Sequence, residues 1–368
     1  MPSRRPVDRL LLLFAMLLMV IGMVWIYSAS AVKAFQNNPA GTAFVVRQLV
    51  GGAIGMVFML ILSQTELGPL QDEPRPLKVF FLLAILFLVG VLAMPKVNGA
   101  HRWIKAGPLS FQPSEFFKPL AVLIASYWMV RHREAWKDNK EALPKLLALM
   151  GVLILPLGLI LREPDFGTTF LIVFVALMVV FIGGAPRWIF AIGIPALLLV
   201  GSAFVVSSPY RMIRVMSFLH PEADPLGAGH QATQSLVALG NGGVFGVGIG
   251  EGLQKLFYLP EAHTDFIYAV IGEEMGLVGT TAVLALFIGI LWRGYRIARR
   301  CGDPFLKLCA MGFTLLLVAQ ALMNMSVVLS LVPNKGIPLP FISYGSSSLM
   351  ASLVCLGLLL SISKDVEG

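Results

Sequence analysis

Charge is scarce in this sequence. Only 13% of the 368 residues are Asp, Glu, Lys or Arg, where soluble domains carry about 25%. The chain therefore lacks the polar surface to cover itself in water. Cysteine is scarce too. Of the three, Cys301 falls in a short basic loop and Cys309 and Cys355 fall in apolar runs, which argues against an external disulfide framework. Walker-type phosphate loops and dinucleotide fingerprints are missing, so a nucleotide-driven pump is disfavoured. His220, His230 and His263 stand at spacings that match no compact zinc signature.

What fills the chain instead is apolar. Hydrophobic residues make up 57% and the mean hydropathy is +0.82. A bilayer-spanning helix needs about 17–25 mostly apolar residues, and about ten runs meet that need: 10–31, 44–63, 79–95, 114–130, 146–161, 167–184, 188–207, 266–292, 308–331 and 346–362. The expected fold is all-α: a polytopic membrane bundle forming a single domain over 1–368. One long extracytoplasmic loop, at about 208–265, joins helices 7 and 8. The first run, preceded by Arg4, Arg5 and Arg9, could be a cleaved leader, but its apolar core is longer than the 7–15 residues typical of one. It is read as a retained helix. Lys and Arg crowd short loops such as 131–145 and 293–307, and the bias of such loops toward the cytoplasm places both termini there. The net charge of +8 is then explained by topology and anionic lipid, with no nucleic-acid partner.

The unusual residues collect on the opposite, outer side. Asn98 to Ile104 and Phe111 to Lys118 form a Gly- and Pro-punctuated turn into a helix, with Ser114 placed as its N-cap. Glu115 and Lys118, spaced i,i+3, share a face. They are either an interfacial ion pair or part of a polar cavity. Arg162-Glu163-Pro164-Asp165 is a hinge, with Asp165 placed to cap the next helix. The long loop carries Arg211, Arg214, His230-Gln231, Gln234, a glycine-rich run, Lys255 and Glu261-Ala262-His263-Thr264-Asp265, and connections of such length in compact proteins are usually functional. Lys335 and Ser343 lie in a proline-rich segment between the last two helices, of the kind tolerated at membrane depth where it lines a cavity. Asp265 is either an N-cap of helix 8 or a carboxylate partly withdrawn from water, whose raised pKa suits a general base. The cations Arg102, Lys105, Lys118, Arg211, Arg214 and Lys255 suit either phosphate groups or lipid headgroups.

In order along the chain, GAHRWI…FQPSEFFK, REPDFGTT, GHQATQSLVALGNGGVFGVGIGEGLQK, YLPEAHTDFIYAVIGEEMG and PNKGIPLPFISYGSSS together resemble the SEDS family of bacterial shape, elongation, division and sporulation proteins. The resemblance covers residues 1–362, with YLPEAHTDFIYAVIGEE closer to the division branch and GIPLPFISYG to the elongation branch. The division branch is favoured. The family's essential aspartate corresponds to Asp265, and the resemblance departs at Glu163, where Gln is commoner.

The resemblance implies a peptidoglycan glycosyltransferase of the bacterial cytoplasmic membrane, active on its outer face, that polymerises lipid II. Asp265 would deprotonate the acceptor GlcNAc 4-hydroxyl, which attacks the donor MurNAc anomeric carbon with inversion as undecaprenyl pyrophosphate leaves. The candidate substrate contacts are Arg102, Glu115, Lys118, Arg211, Arg214, Gln231, Gln234, Lys255, His263, Lys335 and Ser343. No cofactor is assigned with certainty, and a weakly held divalent cation, Mg2+ or Mn2+, stays open as an aid to pyrophosphate departure. Implied partners are lipid II, a class B penicillin-binding protein, other divisome or elongasome membrane proteins, and membrane lipids. Two rival classes remain. A lipid II flippase would want polar residues through the full membrane depth, whereas the charges here crowd the outer half. A recruiting scaffold would need neither Asp265 nor the cations.

Overall fold

The computed structural model describes residues 6–37, 43–97, 99–106, 109–207, 212, 213, 216, 218, 229–256, 258–333 and 336–366. Its helices are α1 (Arg9–Asn37), α2 (Ala43–Leu62), α3 (Arg75–Leu92), α4 (Pro113–Arg131), α5 (Asn139–Arg162), α6 (Phe166–Ile182), α7 (Arg187–Val206), α8 (His230–Gly242), α9 (Ile267–Arg300), α10 (Pro304–Val328) and α11 (Ser346–Ser363). Ten of these correspond one to one with the apolar runs of the sequence, and α8 falls inside the long connection. The architecture is the expected all-α membrane bundle. Seven helices among the described residues are long and apolar enough to cross a membrane, and the apolar α6 is just shorter. Besides helix, the described residues form a short antiparallel pair of strands, β1 (Ile104–Ala106) with β2 (Leu109–Phe111), which pairs Ile104 with Phe111.

Two helices form the centre. About 94% of the apolar window of α11 and 72% of that of α10 are buried inside the protein, whereas α3 buries only 17%. The outer helices therefore present rows of Phe, Leu and Val outward, such as Val79, Phe80, Leu82 and Leu86 on α3. That arrangement is stable only where the surroundings are themselves apolar. The most extensive packing joins α11 to α2, α9 to α10 and α9 to α1, with α8 laid against α9.

The helix starts follow local chemistry. Asp138, Asp165 and Asp303 cap α5, α6 and α10 by accepting from the N–H groups of Lys140, Thr168 and Leu306, as short acidic side chains do at the N-terminal end. The expected cap Ser114 is not a cap, and the cap alternative for Asp265 also fails. Pro113 takes the first position of α4 and Gln112 its cap position, because proline has no N–H to leave unsatisfied there. Ser114 therefore lies inside the first turn. The cap position of α9 is Phe266, with no side-chain bond, so Asp265 does not cap that helix.

α9 is interrupted. Gly276 has φ 64° and ψ −156°, a conformation that costs glycine little and other residues much. The backbone groups freed by the interruption are taken by the glycine-rich segment after α8. Val247 N–H donates to the Glu273 carbonyl (3.0 Å) and Gly248 N–H to that of Glu274 (3.1 Å). In return Leu277 N–H donates to the Gly243 carbonyl (2.9 Å) and Val278 N–H to that of Val244 (3.2 Å).

Candidate functional site

One end of the bundle gathers the polar motifs. The segment between α10 and α11 folds over the start of α9 and is fixed there by hydrogen bonds. Ser343 Oγ donates to the Thr264 carbonyl (2.6 Å) and accepts from Leu339 N–H (2.7 Å). Tyr344 N–H donates to the His263 carbonyl (3.0 Å). From α10, Asn324 Nδ2 donates both to the Asp265 carbonyl (2.7 Å) and to the Ile337 carbonyl (2.8 Å). From α2, Gln48 donates to the Ser343 carbonyl (3.1 Å) and accepts from Gly345 N–H (3.0 Å).

Against this frame the Asp265 carboxylate stands free. No hydrogen bond reaches it among the described residues, and it is part-buried beside Gly336. A β-carbon placed on Gly336 would lie 2.8 Å from Asp265 Oδ2. Burial pushes the Asp265 pKa up to about 7, and Glu261 adds to the rise. Arg102 opposes it and Asp165 raises it further. A carboxylate in that range, with no hydrogen bond from the described residues, has the properties of a general base at neutral pH.

The hinge before α6 completes the wall. Arg102 donates through Nε to the Glu163 carbonyl (2.6 Å) and through Nη2 to that of Pro164. Gln112 Nε2 reaches Asp165 Oδ2 (3.2 Å). Glu163 is fully buried, and burial lifts its pKa to about 8, helped by Asp165 and opposed by Arg102 and the Ser114 hydroxyl. At neutral pH it is mostly protonated, which lets it occupy a position suited to a neutral amide.

Of the three lysines expected to meet substrate, Lys118 and Lys255 are already engaged. Lys118 Nζ lies 2.7 Å from Glu115 Oε2 and 2.7 Å from Gln320 Oε1, with lysine and glutamate both buried. Gln320 Nε2 in turn holds the Pro338 carbonyl (2.8 Å). The pair is thus not interfacial: it lies inside the bundle and supports the segment beside Asp265. Lys255 is buried 2.6 Å from Glu274 Oε1 and also donates to Ser28 Oγ (2.8 Å) and the Gly250 carbonyl. Glu273 accepts from the N–H groups of Leu253 and Gln254. These two glutamates anchor the glycine-rich segment, and Lys255 is committed to protein oxygens.

His263 is buried against Phe44 and Tyr344. Gln231 and Gln234 lie half-buried on α8. Arg211, Arg214, His220 and Lys335 lie outside the described residues, as does the side chain of Lys105. Among the described residues no group of three or more His, Cys, Asp or Glu is disposed to hold a metal ion. The suggested Mg2+ or Mn2+ therefore has no such ligand set among the described residues.

The family model described as cell cycle protein, FtsW/RodA/SpoVE, matches residues 8–368. The chain belongs to that family. It is 40% identical over 367 residues, covering 98% of this chain and 94% of the relative, to the probable peptidoglycan glycosyltransferase FtsW of Trichlorobacter lovleyi. It is 38% identical over 364 residues, 97% of both chains, to the stage V sporulation protein E of Bacillus subtilis. Among solved structures, Thermus thermophilus RodA superposes with a TM-score of 0.67 at 27% identity over 98% of each chain. A chain of the structure described as "Structural coordination of polymerization and crosslinking by a peptidoglycan synthase complex" reaches 0.76 at 30% identity, again over 98% of each chain.

Sequence reasoning passed over Gln48, Gln320 and Asn324, which hold the frame of the site. Their trace in the sequence is slight: single amides inside apolar helices, two of them four residues apart and so on one face of α10.

Proposed function

We propose that this chain, a glycosyltransferase of the FtsW/RodA/SpoVE family, polymerises lipid II on the outer face of the bacterial cytoplasmic membrane, with both termini cytoplasmic and Asp265 as general base. The observation that carries this reading is the Asp265 carboxylate: part-buried, without a hydrogen-bond partner among the described residues, titrating near neutrality and set against Gly336. In the proposed reaction it takes the proton of the acceptor GlcNAc 4-hydroxyl as that oxygen attacks the donor MurNAc anomeric carbon. Undecaprenyl pyrophosphate leaves from the opposite face. A single displacement inverts the anomeric centre and requires no enzyme nucleophile.

The leaving pyrophosphate needs cations. Lys118 and Lys255 are occupied by Glu115 and Glu274, so the cations proposed for that role are Arg102, Arg211, Arg214 and Lys335. A class B penicillin-binding protein is the proposed partner, in line with a relative that forms part of a complex coordinating polymerization and crosslinking. The FtsW relatives, at 36–40% identity, favour a role in division.

The test is glycan polymer formation from lipid II by wild type and by Asp265→Asn, each with the partner, alongside lipid II binding. Asn keeps the size of the side chain but cannot accept the proton. We expect polymerisation to fall by about 10²–10⁴-fold while binding persists. Near-normal polymer from the variant would refute the base assignment. A folded wild type that moves lipid II across the membrane but makes no polymer would be a flippase.

A further inference from the structure

At the end of the bundle opposite Asp265, residues 6–10, the end of α9 and the end of α11 enclose a cavity of about 330 Å³. Its polar lining includes Arg9, Arg293, Arg296, Arg300, Asp8 and Ser363. One arginine is neutralised: Arg293 grips the Asp8 carboxylate through both Nε and Nη2. Asp8 in turn accepts from Leu11 N–H, and its own N–H donates to Ser363 Oγ (3.2 Å). That contact shapes the cavity and leaves Arg9, Arg296 and Arg300 without an ion pair among the described residues.

Three guanidinium groups around one small cavity repel each other unless an anion sits among them. Guanidinium is built for phosphate, whose oxygens it meets two at a time. The setting identifies the source of the phosphate. The cavity opens at the end of a helix long and apolar enough to cross a membrane. Beside it, Trp292 and Tyr295 are half-exposed on α9, and the Trp292 ring lies 5.2 Å and 5.9 Å from the guanidinium carbons of Arg293 and Arg296. Exposed Trp and Tyr at a helix end mark the level of lipid headgroups.

We propose that this cavity binds the phosphate of an anionic phospholipid headgroup. Asp8 and Arg293 form its floor, and Arg9, Arg296 and Arg300 hold the phosphate. The site stands apart from the polymerisation chemistry and does not rest on it.

The experiment is native mass spectrometry of the purified full-length protein in detergent. It is offered equal amounts of short-chain phosphatidylglycerol and phosphatidylcholine, or inorganic phosphate alone at the same concentration. The variants are Arg9→Gln/Arg296→Gln/Arg300→Gln and the matching triple lysine substitution, both of which keep the Asp8–Arg293 contact. Wild type should retain phosphatidylglycerol over phosphatidylcholine. The glutamine variant should lose that preference by about tenfold or more, since each cation near an anionic headgroup contributes separately, and the lysine variant should keep most of it. Thermal unfolding of each variant checks folding, and Arg300→Gln alone gives a graded loss should the triple variant fail to fold. Equal retention by wild type and the glutamine variants would overturn the proposal. Inorganic phosphate binding as well as phosphatidylglycerol would overturn its lipid assignment.

Discussion

Gly336 and Asp265 face each other across the gap between two loops, so closely that a β-carbon on Gly336 would lie 2.8 Å from Asp265 Oδ2. The absence of a side chain at 336 keeps the carboxylate accessible. Gly336→Ala places a methyl group against the oxygen that is to receive the proton. Polymerisation should fall on the order of tenfold or more, as small misplacements at a reacting centre do, with little loss of thermal stability. Unimpaired polymer formation by the alanine variant would mean that the proton is taken elsewhere.

Protonation of Asp265 should set the acid limb of the reaction. The base must be ionised, so its pKa of about 7 predicts that kcat/KM falls roughly tenfold per pH unit below neutrality. Glu261 contributes to raising that pKa. Glu261→Gln keeps an oxygen for the Thr264 hydroxyl, which now donates to it (3.0 Å), and should move the limb to lower pH. A limb that stays in place would separate Glu261 from the proton transfer.

Glu163 makes a prediction about stability. Its folded pKa of about 8 lies above the ordinary 4.5. Between those values the folded protein holds a proton that the unfolded chain has released, so its contribution to stability falls as pH rises through that window. Glu163→Gln removes the dependence. Melting temperatures measured at pH 5.5 and pH 8.5 should show the variant gaining on wild type at the higher pH, by on the order of 1 kcal/mol or more. A constant difference between the two would mean that Glu163 is ionised when folded.

The Glu115–Lys118 pair predicts a non-additive series. Lys118→Met strands a buried carboxylate and should cost about 3–5 kcal/mol, whereas adding Glu115→Gln should restore most of that stability. Polymerisation should stay low in the double variant, because the Lys118–Gln320–Pro338 link to the Asp265 segment is lost in both. Activity that recovers in step with folding would confine the pair to a structural role.

The helices were legible because lipid imposes a length and a composition on each span, and about ten runs met both. Their ends were less so. The run ending at 292 continues as helix to Arg300, since the basic residues that close an apolar stretch do not close a helix. Around Asp265 the sequence offered a cap or a base. The structure removes the cap, because helix begins only at Ile267, and nothing local announced that shift. What Lys255 does, and what Lys118 does beyond its pairing with Glu115, was illegible for another reason. Their engagement depends on partners such as Gln320 and Ser28, far along the chain, and a cation in a polar motif reads alike whether it faces phosphate or protein. Gln48 and Asn324 hold backbone carbonyls of distant loops, which leave no mark in a one-dimensional pattern.

The break at Gly276 acts as a depth gauge. At about 1.5 Å per residue, the stretch from Leu277 to Tyr295 rises roughly 28 Å, close to the roughly 30 Å thickness of a hydrocarbon layer. If Trp292 and Tyr295 float at one headgroup level, the interruption falls at the other. The helical turns from Ile267 to Met275 double back from there, so that the Tyr268 hydroxyl donates to the Thr280 carbonyl (3.2 Å). Asp265 is thereby brought level with Asn324 on α10, whose side-chain amide holds its carbonyl (2.7 Å). A single glycine that fits no helix thus turns the chain back on itself and sets how deep along the bundle the Asp265 carboxylate comes to rest.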